Sequence, residues 1–347
     1  MGVEVVEIAE DECEQWDTYV ERSPYRSPFH RYAALDVLAA QSDAKLHTLV
    51  GYKGEEPIGL FPVFKSVVGP ITAVRSPPNV FGSTPIHLGP LRLNFERCSQ
   101  QRKQKDNRRF IEQCLSWIDA EIKPDLISVL CGDRYGDVRP FRWHDYDFTI
   151  SPNFTYIINL GRSEEELLRS FTNDARRNIR AYQNSELDIH IGNREDVKRL
   201  ITQSNSRYQE KGLLQKVPAE IILNLYDSLG SSVVQPYVCY VNNNFVGGTL
   251  NIVEGDTMYT WIGGTAGGIE LPINDALDWV AMQNGIKQGL ERFDFLGAMA
   301  DGVYEYKMKF NPKPRSLFHI RWASTKTHTV STIYNRVPRI IKTAISG

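Results

Sequence analysis

The stretch Tyr237-Val238-Cys239-Tyr240-Val241-Asn242-Asn243-Asn244-Phe245-Val246-Gly247 decides the fold. Two apolar, β-rich runs flank an asparagine cluster, the pattern of a hairpin with a tight turn. The same pattern occurs earlier. Leu49-Val50-Gly51-Tyr52 leads through Lys53-Gly54-Glu55-Glu56-Pro57 into Ile58-Gly59. Tyr52 to Tyr240 and Gly59 to Gly247 are both 188 residues apart. Further on, Leu115-Ser116-Trp117-Ile118 aligns with Leu277-Asp278-Trp279-Val280 at an offset of 162. Each of these helical stretches precedes an apolar strand, Asp125 to Cys131 and Arg292 to Leu296. The chain therefore reads as two copies of one unit: helices, hairpin, long helix, strand. The first copy carries about 26 more residues between hairpin and helix, a Pro/Gly-rich stretch over 67–94 that suits a site rim.

Length agrees with duplication. At roughly 150 residues per domain, 347 residues suggest two domains. Lys and Arg number 40 against 42 Asp and Glu, so a globally basic nucleic-acid binder is excluded as the default reading. The charge is uneven, however. Residues 301–347 hold nine cations against Asp301 and Glu305. No apolar run is long enough to span a bilayer, and Met1–Glu10 has no basic stretch of the secretory kind. Five scattered cysteines and seven histidines show no metal-ligand spacing, so no metal is expected and a reducing, cytoplasmic setting is.

Within the second copy, Ser163-Glu164-Glu165-Glu166 is a capping box opening a helix to about Tyr182. Helices are expected over 194–211, 218–229 and 272–289, and strands over 235–241, 246–253, 257–263 and 317–322. A basic terminal helix is expected over 331–344. The units are 1–150, 151–325 and a tail, 326–347.

Four segments in the second copy resemble FemAB-like proteins of the GNAT acyltransferase superfamily, with a BioF2-like acetyltransferase domain. They are Arg176-Arg177-Asn178-Ile179-Arg180-Ala181, Leu271-Pro272-Ile273-Asn274-Asp275-Ala276-Leu277-Asp278-Trp279, Phe293-Asp294-Phe295-Leu296-Gly297, and Gly302-Val303-Tyr304-Glu305-Tyr306-Lys307-Met308-Lys309-Phe310. The resemblance covers about residues 154–322, and the repeat extends it to the whole chain. It implies an α/β (α+β) fold of two tandem GNAT-like domains, each a mixed, mainly antiparallel sheet flanked by helices. It also implies an acyl-CoA or aminoacyl-tRNA donor. The usual acetyl-CoA loop spacing is not seen after Thr257–Gly263, nor is the long coiled-coil insertion of tRNA-using members.

Acyl transfer to an amine needs a base, an oxyanion donor and a donor cradle. By motif position Lys307 is the candidate for the phosphates or the oxyanion. Lys309, on the same face if the segment is a strand, is a second anion contact or surface. Asp294 is the candidate base, with a structural carboxylate as the plainer reading. Arg176 and Arg180 share a helix face and suit an anionic substrate or a solvated surface. Tyr259, Trp261 and Tyr304 suit a sugar or acyl pocket or the core. Gly263–Gly268, running into the Pro272 helix, is a phosphate cradle or a hairpin tip.

The expected function is an N-acyltransferase or aminoacyltransferase acting on an amine of a cell-envelope glycan, nucleotide-sugar or peptide precursor. The rivals are a non-catalytic glycan- or lipid-binding module and an RNA-binding protein using Arg102–Arg109 and the tail. The basic tail, with Ile333, Val337, Ile340 and Ile341, suits peripheral binding to the inner face of a membrane.

Overall fold

A computed structural model describes residues 2–79, 86–210, 218–266, 271–297 and 303–329. The terminal helix expected over 331–344 lies outside the described residues. The first half runs β1 (Glu4–Glu7), α1 (Cys13–Glu21), α2 (Tyr32–Ser42), β2 (Lys45–Lys53), β3 (Glu56–Val68), β4 (Ile71–Ser76), β5 (Leu91–Arg92), α3 (Gln100–Glu121), β6 (Leu126–Cys131) and β7 (Thr149–Asn159). The second runs α4 (Glu164–Ser170), α5 (Asn173–Gln183), β8 (Asp188–Ile191), α6 (Arg194–Glu210), α7 (Ala219–Leu229), β9 (Val234–Val241), β10 (Asn244–Glu254), β11 (Thr257–Thr265), α8 (Ile273–Lys287), β12 (Arg292–Asp294), α9 (Val303–Met308) and β13 (Lys313–Ala323).

Strand register bears out the repeat. Gly51 faces Gly59 and Lys53 faces Glu56 in one hairpin. Cys239 faces Gly247 and Val241 faces Asn244 in the other, at the same offset. Asn242 and Asn243 both take positive φ, 49° and 63°, which a two-residue turn between right-twisted strands requires. Over the first hairpin the Phe110 ring of α3 packs so closely that a Cβ at Gly59 would lie 2.5 Å from it.

All the strands form one sheet, in the order β1-β2-β3-β4-β6-β13-β7-β12-β11-β10-β9-β8, with β5 beside β3. Its pairs are antiparallel except β4–β6 and β11–β12. The last strands are exchanged: β13 pairs with β6 of the first half, while β7 pairs with β12 of the second. The exchange is symmetric down to side chains. Ser128 of β6 bonds His319 at 2.8 Å, and Asp294 of β12 accepts from Thr155 at the matching position. One apolar core lies in each half, and a third joins them, with Leu35 and Leu38 of α2 beside Ile222 and Leu225 of α7.

Two local expectations are corrected. The capped helix does not run from Ser163 to Tyr182. It breaks at Phe171, where Thr172 starts a new helix by accepting a bond from the Ala175 amide. The Lys307 segment is the short helix α9, not a strand, so Lys307 and Lys309 do not share a strand face.

Candidate active site

In each half the two parallel strands part, and the parting is where backbone groups become available. In the second half β11 and β12 pair only from Thr257–Arg292 to Tyr259–Asp294. Beyond that β11 continues to Thr265, while the chain leaves β12 through Leu296 (φ 43°) and Gly297 (φ 90°). Against β10 the register shifts so that Leu250 faces Ile262 but Asn251 faces Thr260, which makes Trp261 the extra residue of a bulge. A bulge twists a strand and re-aims its neighbours. Among the described residues no backbone partner fills the β12 side of β11 past Tyr259. In the first half the corresponding gap is closed: the Leu88 amide bonds the Leu130 carbonyl at 3.1 Å, and Gly89 lies against Cys131.

Lys307 sits beside the open gap. Its Nζ donates to the carbonyls of Phe295 (2.8 Å) and Gly297 (2.6 Å), with Leu296 at 3.5 Å. An ammonium has three N–H donors. Two are held by the turn, which supports its two positive φ values, and among the described residues the third has only the long Leu296 contact. Burial pushes the Lys307 pKa down to about 8, against the pull of Asp278 and Asp294.

Two buried acids face this lysine. Asp294 accepts from the Thr155 hydroxyl and from the Leu296 amide at 2.8 Å, and burial raises its pKa to about 6 against those bonds. Asp278, on α8, accepts from the Tyr306 hydroxyl at 2.6 Å through Oδ2, while its buried Oδ1 has no partner among the described residues. Burial raises the Asp278 carboxyl to about 7, against the Tyr306 bond. Sequence reading passed over Asp278. Its signal was an acid inside the apolar run Ala276-Leu277-Asp278-Trp279-Val280 of a helix most of whose residues are buried.

The other sequence candidates are dispersed. Lys309 is tied to Asp275 at 2.7 Å and to Asp174 at 3.4 Å, so its charge is already paired. Arg176 donates to the Arg169 carbonyl and to Asn173 on its own segment, and Arg180 is exposed on α5. Tyr304 is 45% exposed and lies 6.0 Å, ring to ring, from Tyr156. Trp261 is buried edge-on against Phe29 of the other half at 5.2 Å. Gly263 and Gly264 are within β11, not in a loop. A Cβ at Gly264 would come within 2.7 Å of the Ser204 backbone, so the close approach of α6 accounts for that glycine. The remainder of the expected cradle, 267–270, lies outside the described residues.

Tyr259 lines a second cleft, at the seam between the halves, with Ser27, His30, His87, Arg92 and Arg134. His30 is structural: it accepts from the Ser27 amide at 3.0 Å, its other ring nitrogen lies 3.1 Å from the Leu88 and Gly89 carbonyls, and burial lowers its pKa to about 4. Ion pairs close this seam. Glu254 meets Arg26 (2.7 Å) and Arg31 (2.5 Å), Asp256 meets Arg134 (2.7 Å), and Asp133 meets Arg292 (2.6 Å).

Comparison with known proteins gives this geometry a context. Residues 169–308 match the family described as acetyltransferase (GNAT) domain. Among solved structures the chain is similar to FemX, at 11% identity and TM-score 0.69, covering 91% of this chain and 96% of that one. It is similar to L-PGS from Bacillus licheniformis at 14% identity and TM-score 0.56, covering 92% and 94%. A conserved protein of unknown function from Bacteroides thetaiotaomicron VPI-5482 matches at 11% identity and TM-score 0.58, covering 92% and 99%. No curated protein sequence matches the chain. Residues 169–308 thus match a GNAT acyltransferase domain, and the chain as a whole has the FemAB-like GNAT fold seen in FemX, its two similar halves sharing one sheet.

Proposed function

We propose that the protein transfers an acyl or aminoacyl group from an acyl-CoA or aminoacyl-tRNA donor to an amine of a cell-envelope glycan, nucleotide-sugar or peptide precursor. The observation that carries this reading is the parting of β11 and β12, which among the described residues is open only in the half that matches the GNAT family, with Lys307 at its edge. The donor lies along the free side of β11 beyond Tyr259. The acceptor reaches it from the seam, where Tyr259 forms part of the wall.

The amine nitrogen attacks the acyl carbonyl carbon, and the C–N bond forms as negative charge collects on the carbonyl oxygen. The third N–H of Lys307 serves that oxygen, a charged donor in a site where burial strengthens it. The amine proton passes to Asp278 through its unpartnered Oδ1. Asp294 acts as a positioning residue, since its carboxylate is occupied by Thr155 and Leu296. Collapse expels the CoA thiolate or the tRNA hydroxyl oxygen, which takes up a proton. Arg176 and Arg180 guide an anionic substrate, and Tyr304 borders its apolar part. The setting is the cytoplasm, with the basic tail holding the enzyme at the inner face of the membrane.

The test is a transfer assay with labelled acetyl-CoA and, separately, tRNA charged with a labelled amino acid, each against UDP-linked amino sugars and short peptides. Label should move to the acceptor from one donor class, and Lys307→Ala should remove that transfer. Transfer unaffected by Lys307→Ala overturns the assigned role.

A further inference from the structure

The two halves carry matching hairpins with opposite endings. Val68 faces Ile71 across Gly69-Pro70, and Glu254 faces Thr257 across Gly255-Asp256. Both turns are two residues long and start on a glycine of the same φ, 56° and 58°. The second ending is acidic and seated: Glu254 and Asp256 are taken up by Arg26, Arg31 and Arg134 of the other half. In the first, Val68 and Pro70 occupy those places. Val67 is 64% and Val68 66% exposed, with Gly69 and Pro70 exposed beside them. The hairpin lies within the sheet, between β2 and β6, and an uncharged apolar end left open to water at such a turn is what soluble proteins normally avoid.

Cations surround its stem. Lys65 faces Lys45 across β2–β3, and Arg75 lies close enough to Arg321 for their charges to repel. The last described residues lie beside this end of the hairpin, where Thr72 faces Val67. Thr72 exchanges backbone and carboxylate bonds with Asp125 (2.7 and 3.0 Å), and Asp125 in turn holds Ser324, Lys326 and Thr327. The helical turn 325–329 therefore starts the last 18 residues beside the apolar hairpin. From Tyr306 to Gly347 the sequence has nine Lys and Arg and no Asp or Glu. Over 330–347 Ile333, Val337, Ile340 and Ile341 recur at helical spacing among Arg336, Arg339 and Lys342.

We infer that the β3–β4 hairpin end, Val67 to Ile71, is a membrane-inserting tip that acts with the C-terminal segment to dock this end of the sheet on an anionic lipid surface. A narrow apolar point ringed by cations fits a bilayer interface, where valines enter the acyl boundary and cations meet head groups. The inference extends the tail reading above but does not need the transfer chemistry.

The experiment is co-sedimentation of the full chain with phosphatidylcholine vesicles, with and without phosphatidylglycerol. The unaltered protein should sediment with the phosphatidylglycerol vesicles only. Val67→Ser/Val68→Ser should weaken that partitioning at least about tenfold, the scale on which even one buried valine contributes. Both positions are exposed, so the variant keeps its fold. Truncation after Thr329 should weaken it as well. Equal partitioning by the double variant and the unaltered protein overturns the role of the tip while leaving the tail reading intact. No sedimentation of the unaltered protein overturns both. Hydrogen exchange without lipid supplies the last arm. If truncation after Thr329 speeds exchange at residues 66–72, the tail covers the tip within the molecule and the inference fails.

Discussion

The two halves are one design put to two uses. Their hairpins share register, their parallel strand pairs share topology, and their buried Ser128–His319 and Asp294–Thr155 contacts occupy matching positions. They differ where a ligand would enter. In the first half residues 86–90 occupy the gap between β4 and β6. In the second β11 bulges at Trp261 and departs from β12, and no described residue pairs with that edge beside Lys307. Duplication supplied two equivalent gaps. In the function proposed above, the gap filled by its own chain serves as platform and the open one as site.

The comparison breaks most sharply at Lys307. Lys307→Ala should lower kcat by about 100-fold or more, the usual consequence of losing an oxyanion donor. Arg75→Ala, next to the closed gap, should leave it within about twofold, and steady-state kinetics on both variants checks the contrast. The second effect is on pH. Activity should rise as Asp278 ionises near pH 7 and fall as Lys307 loses its proton above about 8, giving a narrow bell. Asp278→Asn should abolish the acidic limb along with most of the rate, whereas Arg180→Ala should preserve the shape.

A third effect concerns stability. The Asp278 carboxyl ionises near 3.9 when unfolded and near 7 when folded. Between those values the folded chain holds the extra proton, so stability falls as pH rises through the window. Asp278→Asn should therefore be more stable than the unaltered protein by about 4 kcal/mol at pH 8, with the gap closing toward pH 4; thermal melts at both pH values read it. The smallest expected effects lie at the closed gap and the hairpin ends. Gly89→Ala would place a Cβ 2.9 Å from the Cys131 sulfur, costing about 1–3 kcal/mol by overpacking. Glu254→Ala strands two arginines at a buried site, a cost of about 2 kcal/mol. Val68→Glu, its counterpart, should stay within about 0.5 kcal/mol, and denaturant unfolding ranks the three.

Much of the fold was legible because hairpin chemistry is local. The Asn242–Asn244 turn, the alternation about it and the Trp117/Trp279 helices each carry their own periodicity, and together they disclosed the repeat. The exchange of β7 and β13 was not legible, since nothing in Lys313–Ala323 says which half it joins. Thr172 was missed as a helix start because Ser163 had already supplied a strong cap nine residues earlier. At the site, motif position led to Lys307, but burial decided the rest. Lys309 reads like Lys307 in sequence, yet only tertiary contact with Asp275 and Asp174 shows its charge to be paired. Asp278 looked like an interruption of an apolar run, and its meaning came from Tyr306, which the sequence places 28 residues away.

The most direct test of the central claim is hydrogen exchange with and without the donor that the transfer assay selects. The account predicts protection at Thr260–Ala266 and Phe295–Gly297 in the second half, and none at Ala73–Ser76 or Ile86–Pro90 in the first. Protection confined to the first half, with β11 unchanged, would contradict it.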